Sequence, residues 1–293
     1  MALGNFDGVH LGHQAVLRRA VEAGRERGAR VVAATFDPHP RAVLGAGGSP
    51  KLLTALGLRR EALVRYGADE VRVITFDLDL SKKSPREFAR DVLVGEMGAE
   101  AVVVGENFRF GHRAAGNVRD LAALMEEMGG TAYSVPVRGA GEHEEISSTR
   151  IRTLISEGAV AQAAGLLGRP YVLRGEVVEG DRRGRTIGFP TANVRPDPVA
   201  LVPARGVYAG FVRVGEETFA GCTNVGVAPT FDRAESRVEA HLLDFQGDLY
   251  GRALDVEFTQ RIRGEKRFSG VDELKEQIHR DVEQARRLTR KVQ

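Results

Sequence analysis

The chain has 293 residues, 42% hydrophobic and 28% charged, enough for two ordinary domains with cores of their own. Its 42 basic and 40 acidic residues leave a net charge of +2 with no long basic block, so no nucleic-acid partner is expected, and no apolar run approaches the length of a membrane helix. The single cysteine, Cys222, excludes an internal disulfide and suits a reducing cytoplasm, and the opening residues carry no signal-peptide pattern.

In chain order, only Met1, Ala2 and Leu3 precede the first glycine-rich stretch, GNFDGVHLGH, so the strand feeding it is expected to be a stub. The stretch reads as a strand-to-helix turn, with the helix starting near Gly12 or His13 and running to Arg27. Buried strands are expected at RVVAATF (30–36), VRVITF from Val71, AVVVG from Ala101 and, more weakly, AYSVPV from Ala132. Helical patterns fall between them at Ala55 to Tyr66, Pro85 to Met97 and Asn117 to Met128, with Pro85 suited to a first turn. Strands alternating with helices predict an α/β domain with a doubly wound, Rossmann-like parallel sheet, where ligands bind beyond the carboxyl ends of the strands.

A helical connector, residues 149–168, leads to Arg169-Pro170, where the chain changes character. Short β-rich runs start at Tyr171, Gly206, Thr218, Arg237 and Arg252, separated by turn residues, and predict a small antiparallel barrel. A terminal helix follows from Val271 to Leu288, with Val271, Leu274, Ile278, Val282 and Ala285 on one apolar face. The expected domains are therefore 1–168 and 169–293.

Four segments of the first half point at one ligand region. In GNFDGVHLGH, Gly4 and Gly8 let backbone approach a ligand, and His10 and His13 sit three apart at a helix start that favours phosphate; a structural turn with exposed histidines fits equally. TFDPHP (35–40) ends a strand with Asp37 and His39, though a plain proline turn is the preferred reading. In GENFRFG, Asn107 can read a ring edge, while Phe108 and Phe110 stack or pack, and one of the two is expected in the core. ISSTRIR opens a helix: Ser147, Ser148 and Thr149 are capping residues, and Arg150 suits a polyphosphate.

The second half carries GEVVEGDRRGRTIGFPTANV (175–194). Gly180, Gly184 and Gly188 with Arg182, Arg183 and Arg185 suit a phosphate loop or a solvated hairpin. Thr191 and Asn193 are two apart, hence on one face of a strand, and their neutral oxygens suit Mg²⁺. Glu239 and His241 alternate in the same way; Glu239 is either a general base or an ordinary strand carboxylate. Cys222 reads as a small buried residue rather than a nucleophile.

GNFDGVHLGH, TFDPHP, GENFRFG and ISSTRIR resemble, in that order, the HxGH nucleotidylyltransferases, and specifically the adenylyltransferase half of the bacterial bifunctional riboflavin kinase/FAD synthetase family. GRTIGFPTANV, GVYAGFV, NVGVAPTF, VEAHLLDFQGDLYG and RIRGEKRFSGVDEL resemble the riboflavin kinase half. The resemblance implies a transferase that phosphorylates riboflavin with ATP in the second domain, then adenylylates FMN to FAD and pyrophosphate in the first. It implies ATP contacts from Gly4, Asn5, Phe6, Asp7, Gly8, His10, His13, Ser148, Thr149, Arg150, Gly180, Arg185 and Gly188, and flavin contacts from Asn107, Arg109 and Arg263. His10, His13 and Arg150 would stabilise charge at the α-phosphate, Glu239 would be the base on the riboflavin hydroxyl, and Thr191 and Asn193 would hold Mg²⁺. The expected partners are riboflavin, FMN and ATP, without nucleic acid or membrane; self-association stays open. A kinase with an impaired first half, or a non-catalytic flavin or nucleotide sensor, are the alternatives, and the joint presence of His10, His13, Asn193 and Glu239 argues against the sensor.

Overall fold

The computed structural model describes residues 1–45, 49–136, 146–180, 188–229 and 234–290, and divides the chain into two compact units. The first comprises Met1–Lys51 and Ala55–Ser148; the second comprises Leu52–Thr54 and Thr149–Gln293.

A five-stranded parallel sheet in the order β3-β2-β1-β4-β5 forms the first unit. Its strands are β1 (Ala2–Leu3), β2 (Val32–Asp37), β3 (Glu70–Thr75), β4 (Ala101–Gly105) and β5 (Thr131–Val135). The shortest strand is the central one. Ala2 and Leu3 pair with Ala33 and Ala34 on one side, and Ala2 pairs with Val103 on the other. Backbone bonds extend this pairing at both ends, from the Val103 N–H to the Met1 carbonyl and from the Gly4 N–H to the Ala34 carbonyl. The pleat sends Ala2 into one core layer, with Val16, Leu17, Ala20 and Leu63, and Leu3 into the other, with Phe36, Phe88, Leu93 and Leu121. Two core layers around one parallel sheet make the unit doubly wound, and they explain why AVVVG is apolar at every position: its first four residues are buried.

Helix α1 (Leu11–Arg27) begins slightly earlier than the sequence pattern suggests, because His10 supplies its N-cap, and it ends on Gly28 in the left-handed region (φ 63°). The expected helix at Pro85 to Met97 is present but changes its winding. Pro85–Glu87 is a single α-helical turn, started by a Ser84/Glu87 capping box, and Phe88–Glu96 continues with wide i→i+5 bonds.

The second unit is a closed antiparallel barrel, β10-β7-β6-β11-β8-β9. Its strands are β6 (Tyr171–Val178), β7 (Ala192–Pro196), β8 (Gly206–Val214), β9 (Glu217–Pro229), β10 (Ala234–Leu242) and β11 (Ala253–Arg263). Gly210 is required where β8 crosses β11: a Cβ there would lie 1.7 Å from the Glu257 carbonyl oxygen. The connector forms two helices, Ser148–Glu157 and Val160–Leu167, and from Thr149 onward it belongs with the barrel, bonded through Ala204 N–H to Ile155 and through Arg261 to Glu157. The terminal helix, α9 (Val271–Arg290), lies against β8 and β9, with Ala285 in a cluster that includes Val207, Ala209 and Cys222. Its buried face differs from the expected one at both ends of the character scale. Val271 is 58% exposed, while Asp281 is 3% exposed and takes a place among the apolar positions.

Candidate active sites

The GNFDGVHLGH loop is held in a conformation that its side chains do not favour. Phe6 and Val9 have positive φ, 50° and 41°, and a β-branched residue there is a marked departure from ordinary backbone. Local bonds hold the shape: Val9 N–H donates to the Phe6 carbonyl, and Gln14 Nε2 donates to the Val9 carbonyl at 2.9 Å. The result is that the two histidine rings stack, centroids 3.6 Å apart and planes at 16°, with the edge of Phe6 against His13. His10 Nδ1 accepts the His13 backbone N–H at 3.4 Å, so His10 both caps α1 and belongs to the pair. The first turn of α1 has no acidic residue, which leaves its N-terminal end favourable to an anion.

His10 is buried; His13 is partly exposed, with its Nδ1 enclosed. Burial, then the neighbouring His10 and the Arg59 guanidinium, push His13 well below the ordinary histidine range, so it is neutral near pH 7. A neutral imidazole still offers one N–H donor to a phosphate oxygen.

The other predicted residues lie on several elements. Gly4 pairs with Ala34, Asn5 is exposed, and Phe6, Asp7 and Gly8 are buried. Ser148 Oγ donates to the Asp7 carbonyl at 2.9 Å, which brings the start of ISSTRIR to the loop. Thr149 and Arg150 are exposed and open the second unit. His39 is the cap of a short helix, Pro40–Leu44, with Nδ1 accepting from Arg41 N–H, as a plain turn requires. Past β4, Asn107 and Arg109 are exposed, Phe110 is in the core, and Phe108 stacks on it at 5.7 Å.

The barrel presents a second cluster. In β7, Ala192 and Val194 point inward, and Asn193 lies on the outer face with Thr191, which precedes the strand. Glu239 of β10 is the register partner of both Asn193 and, on β9, Asn224. Asn224 Nδ2 donates to Glu239 Oε2 at 3.2 Å. Arg237 spans the pair: Nη2 is 2.9 Å from Glu239 Oε1, and Nε donates to Asn193 Oδ1 at 3.3 Å. Gly180 presses on this group, since a Cβ there would be 2.1 Å from Asn193 Nδ2. Gly188 has φ 89°; Arg182, Arg183, Gly184 and Arg185 lie outside the described residues. His241 Nδ1 meets the Pro190 carbonyl at 2.7 Å and holds the segment that carries Thr191.

Thr191 and Asn193 offer neutral side-chain oxygens of the kind magnesium takes, with Asn193 Oδ1 accepting from Arg237 Nε in this structure. Among the described residues, no group of three or more His, Cys, Asp and Glu forms an all-protein metal cage. Arg263 has a structural engagement: it forks onto Asp281 at 2.7–3.1 Å and packs over Phe268. Cys222 is buried, and burial with the Asp281 charge pushes its thiol up to about 12, which leaves it unreactive as a thiolate.

Sequence reasoning missed Arg59, Thr35, Arg237 and Asn224. Arg237 was within reach of the strand alternation, being two residues before Glu239. Arg59 gave no signal, because LRREAL looks like a charged helix surface, yet its side chain is fully buried.

Comparison with known proteins places both halves. A family model described as FAD synthetase matches residues 1–150, and one described as riboflavin kinase matches residues 167–289. A bifunctional riboflavin kinase/FMN adenylyltransferase of Listeria monocytogenes is 39% identical over 100% of this chain and 93% of its own length. The Bacillus subtilis protein of the same name is 39% identical over 97% of this chain and 90% of its own. A crystal structure from Streptococcus pneumoniae, described as a macrolide-efflux protein, superimposes with a TM-score of 0.89 at 34% identity, covering 97% of this chain and 93% of that one. Among the described residues, no helix is long and apolar enough to cross a membrane.

Proposed function

The chain belongs to the bifunctional riboflavin kinase/FMN adenylyltransferase family, and from that premise we propose that it makes FMN from riboflavin and ATP, then FAD and pyrophosphate from FMN and ATP. The kinase step belongs to the barrel half matched over residues 167–289, the adenylyl transfer to the half matched over residues 1–150, and cytoplasmic residence is part of the reading. The observation that carries it is the presence, within each unit, of a cluster matched to its step: stacked His10 and His13 at a helix start, and Glu239 beside Asn193 on the barrel.

In the kinase step the nucleophile is an alcohol, so its proton must go to a base, and Glu239 is that base. Asn224 and Arg237 bond one carboxylate oxygen each, which fixes its orientation. Thr191 and Asn193 hold Mg²⁺, which when bound supplies positive charge to the ATP phosphates. Gly180 and Gly188 make the phosphate-facing edge.

In the adenylyl step the attacking FMN phosphate oxygen is already ionised near neutral pH. The site needs placement and donors rather than a base. His10 and His13 donate to the α-phosphate, Arg150 adds positive charge, and the loop from Gly4 to Gly8 with Ser148 and Thr149 lies along the nucleotide. Asn107 and Arg109 contact the flavin of this step, and Arg263 that of the kinase step.

The test is product separation by chromatography after two incubations with Mg²⁺ and ATP, one begun with riboflavin and one with FMN. FMN and FAD from the first, and FAD from the second, are expected. FMN alone from the first and nothing from the second would remove the adenylyl-transfer assignment.

A further inference from the structure

Arg59, on the helix Leu56–Arg65, has a completely buried guanidinium. Burying a charge is costly unless its partners are good. Here they are mostly neutral. Nη1 is 3.1 Å from the Asn5 carbonyl, 3.1 Å from Thr35 Oγ1 and 3.0 Å from the Phe36 carbonyl. The nearest carboxylate contact is Asp37 at 3.7 Å, and among the described residues Nε and Nη2 have no hydrogen-bond partner. The guanidinium is thus tied to the backbone of the loop and of β2 rather than to a close carboxylate.

Those surroundings are the base of the histidine loop. The bond to the Asn5 carbonyl is made one peptide before Phe6, the first residue of the loop with positive φ. In a trans peptide the carbonyl and the next N–H point opposite ways, so holding the Asn5 carbonyl inward turns the Phe6 N–H away from Arg59. Thr35, itself fully buried, bonds the same carbonyl at 2.9 Å and completes the clamp against the end of β2.

We propose that Arg59 is a positioning residue of the adenylyl-transfer site: its buried guanidinium clamps the strained loop that carries His10 and His13. The proposal rests on the assignment of adenylyl transfer to the first unit. The titratable and charged groups concerned are His10, the cap of α1, beside His13 in its first turn, Arg59, and Asp7 and Asp37, which act on the guanidinium from the loop and from β2. The clamp keeps the stacked rings in place, and the Arg59 charge, after burial and the neighbouring His10, helps to hold His13 below the ordinary histidine range.

The test compares the full-length protein with Arg59→Met and Arg59→Lys, the first losing charge and fork, the second only the fork. In Arg59→Met, kcat for FAD formation from FMN should fall by ~10²-fold, the scale of a misplaced reacting group, with KM for ATP changed much less. The NMR titration of His13 should move up toward the ordinary histidine value. Arg59→Lys should keep the His13 titration low while remaining slower than the parent. FMN formation from riboflavin should be unchanged in both. A folded Arg59→Met protein with parental kcat and an unmoved His13 titration overturns the proposal. If Arg59→Met does not fold, Arg59→Lys decides: a parental kcat there shows that the fork positions nothing. The two readings fail separately, because a parent protein that forms no FAD removes the adenylyl-transfer assignment, whereas the His13 titration tests Arg59 whether or not FAD is made.

Discussion

Glu239 and His13 are each proposed for one of the two reactions, and single substitutions should separate them. Glu239→Gln keeps the shape and one hydrogen-bonding oxygen but removes the basic carboxylate. FMN formation should fall by ~10²- to 10⁴-fold, the worth of general-base help, while FAD formation from supplied FMN continues at the parental rate. Full kinase activity in the variant would make Glu239 an ordinary strand carboxylate tied to Arg237 and Asn224. His13→Ala removes a donor from the stacked pair and should lower FAD formation by ~10²-fold with FMN formation intact. Chromatography of both reactions reads both outcomes, and unimpaired FAD synthesis in folded His13→Ala would remove that assignment. Cys222 has no part in either step, since its thiol is buried and pushed up to about 12.

At the scale of elements, the helix start at His10 and the terminal helix depend on buried polar groups. His13 titrates well below its unfolded value of about 6.5, chiefly through burial. The unfolded chain therefore takes up the proton first as pH falls. Stability of the first unit should be fully kept above about pH 6.5, then decline by ~1.4 kcal/mol per pH unit until the folded imidazole protonates. Denaturant unfolding between pH 7.5 and 5.5 should show a steeper slope for the parent than for His13→Gln. Equal slopes would mean that the imidazole is not depressed. On the barrel, Asp281 of α9 receives Arg263 through three contacts and Gln277 through one, and its side chain is 4% exposed. Arg263→Met leaves that carboxylate buried without its cation, so the second unit should lose ~3–5 kcal/mol. Urea unfolding measures this; a loss of riboflavin affinity with no loss of stability would instead put the flavin contact first.

At the scale of the whole molecule, the two compact units do not follow a single cut in the chain. Leu52–Thr54 belongs to the second unit, where the Leu52 N–H bonds the Val199 carbonyl and the Leu201 N–H bonds the Leu52 carbonyl, both at 2.8 Å. Leu52 and Leu53 are 5% and 1% exposed, and burial of such side chains contributes about 1.5–3 kcal/mol each. A fragment of residues 149–293 should therefore convert riboflavin to FMN but lose kinase activity on heating about 5–10 °C below the full chain. Identical heat inactivation would show that Leu52–Thr54 adds nothing to the barrel.

Much of this molecule is legible from local chemistry. Alternation of apolar strands with helical patterns is enough for the parallel sheet, since such strands are buried on both faces, and closely spaced short strands are enough for the barrel. The spacing of His10 and His13 at a helix start, and of Thr191 with Asn193, puts each pair on one side of its element whatever the rest of the chain does. What remained hidden depends on partners far away in sequence. Ala2 and Leu3 make a central strand only because Ala33, Ala34 and Val103 flank them, and two residues carry no periodicity of their own. Asp281 breaks the apolar stripe of α9 because Arg263 waits beneath it, and Val271 leaves the stripe because nothing covers it. Arg59 lies 54 positions from Asn5 and 24 from Thr35, so a charge that the local pattern assigns to solvent becomes the buried base of the histidine loop. Residue types and their spacing determined the chemistry on offer and the elements that bear it; tertiary packing decided which polar groups meet, because the cost of burying a charge depends on neighbours that only the folded chain assembles.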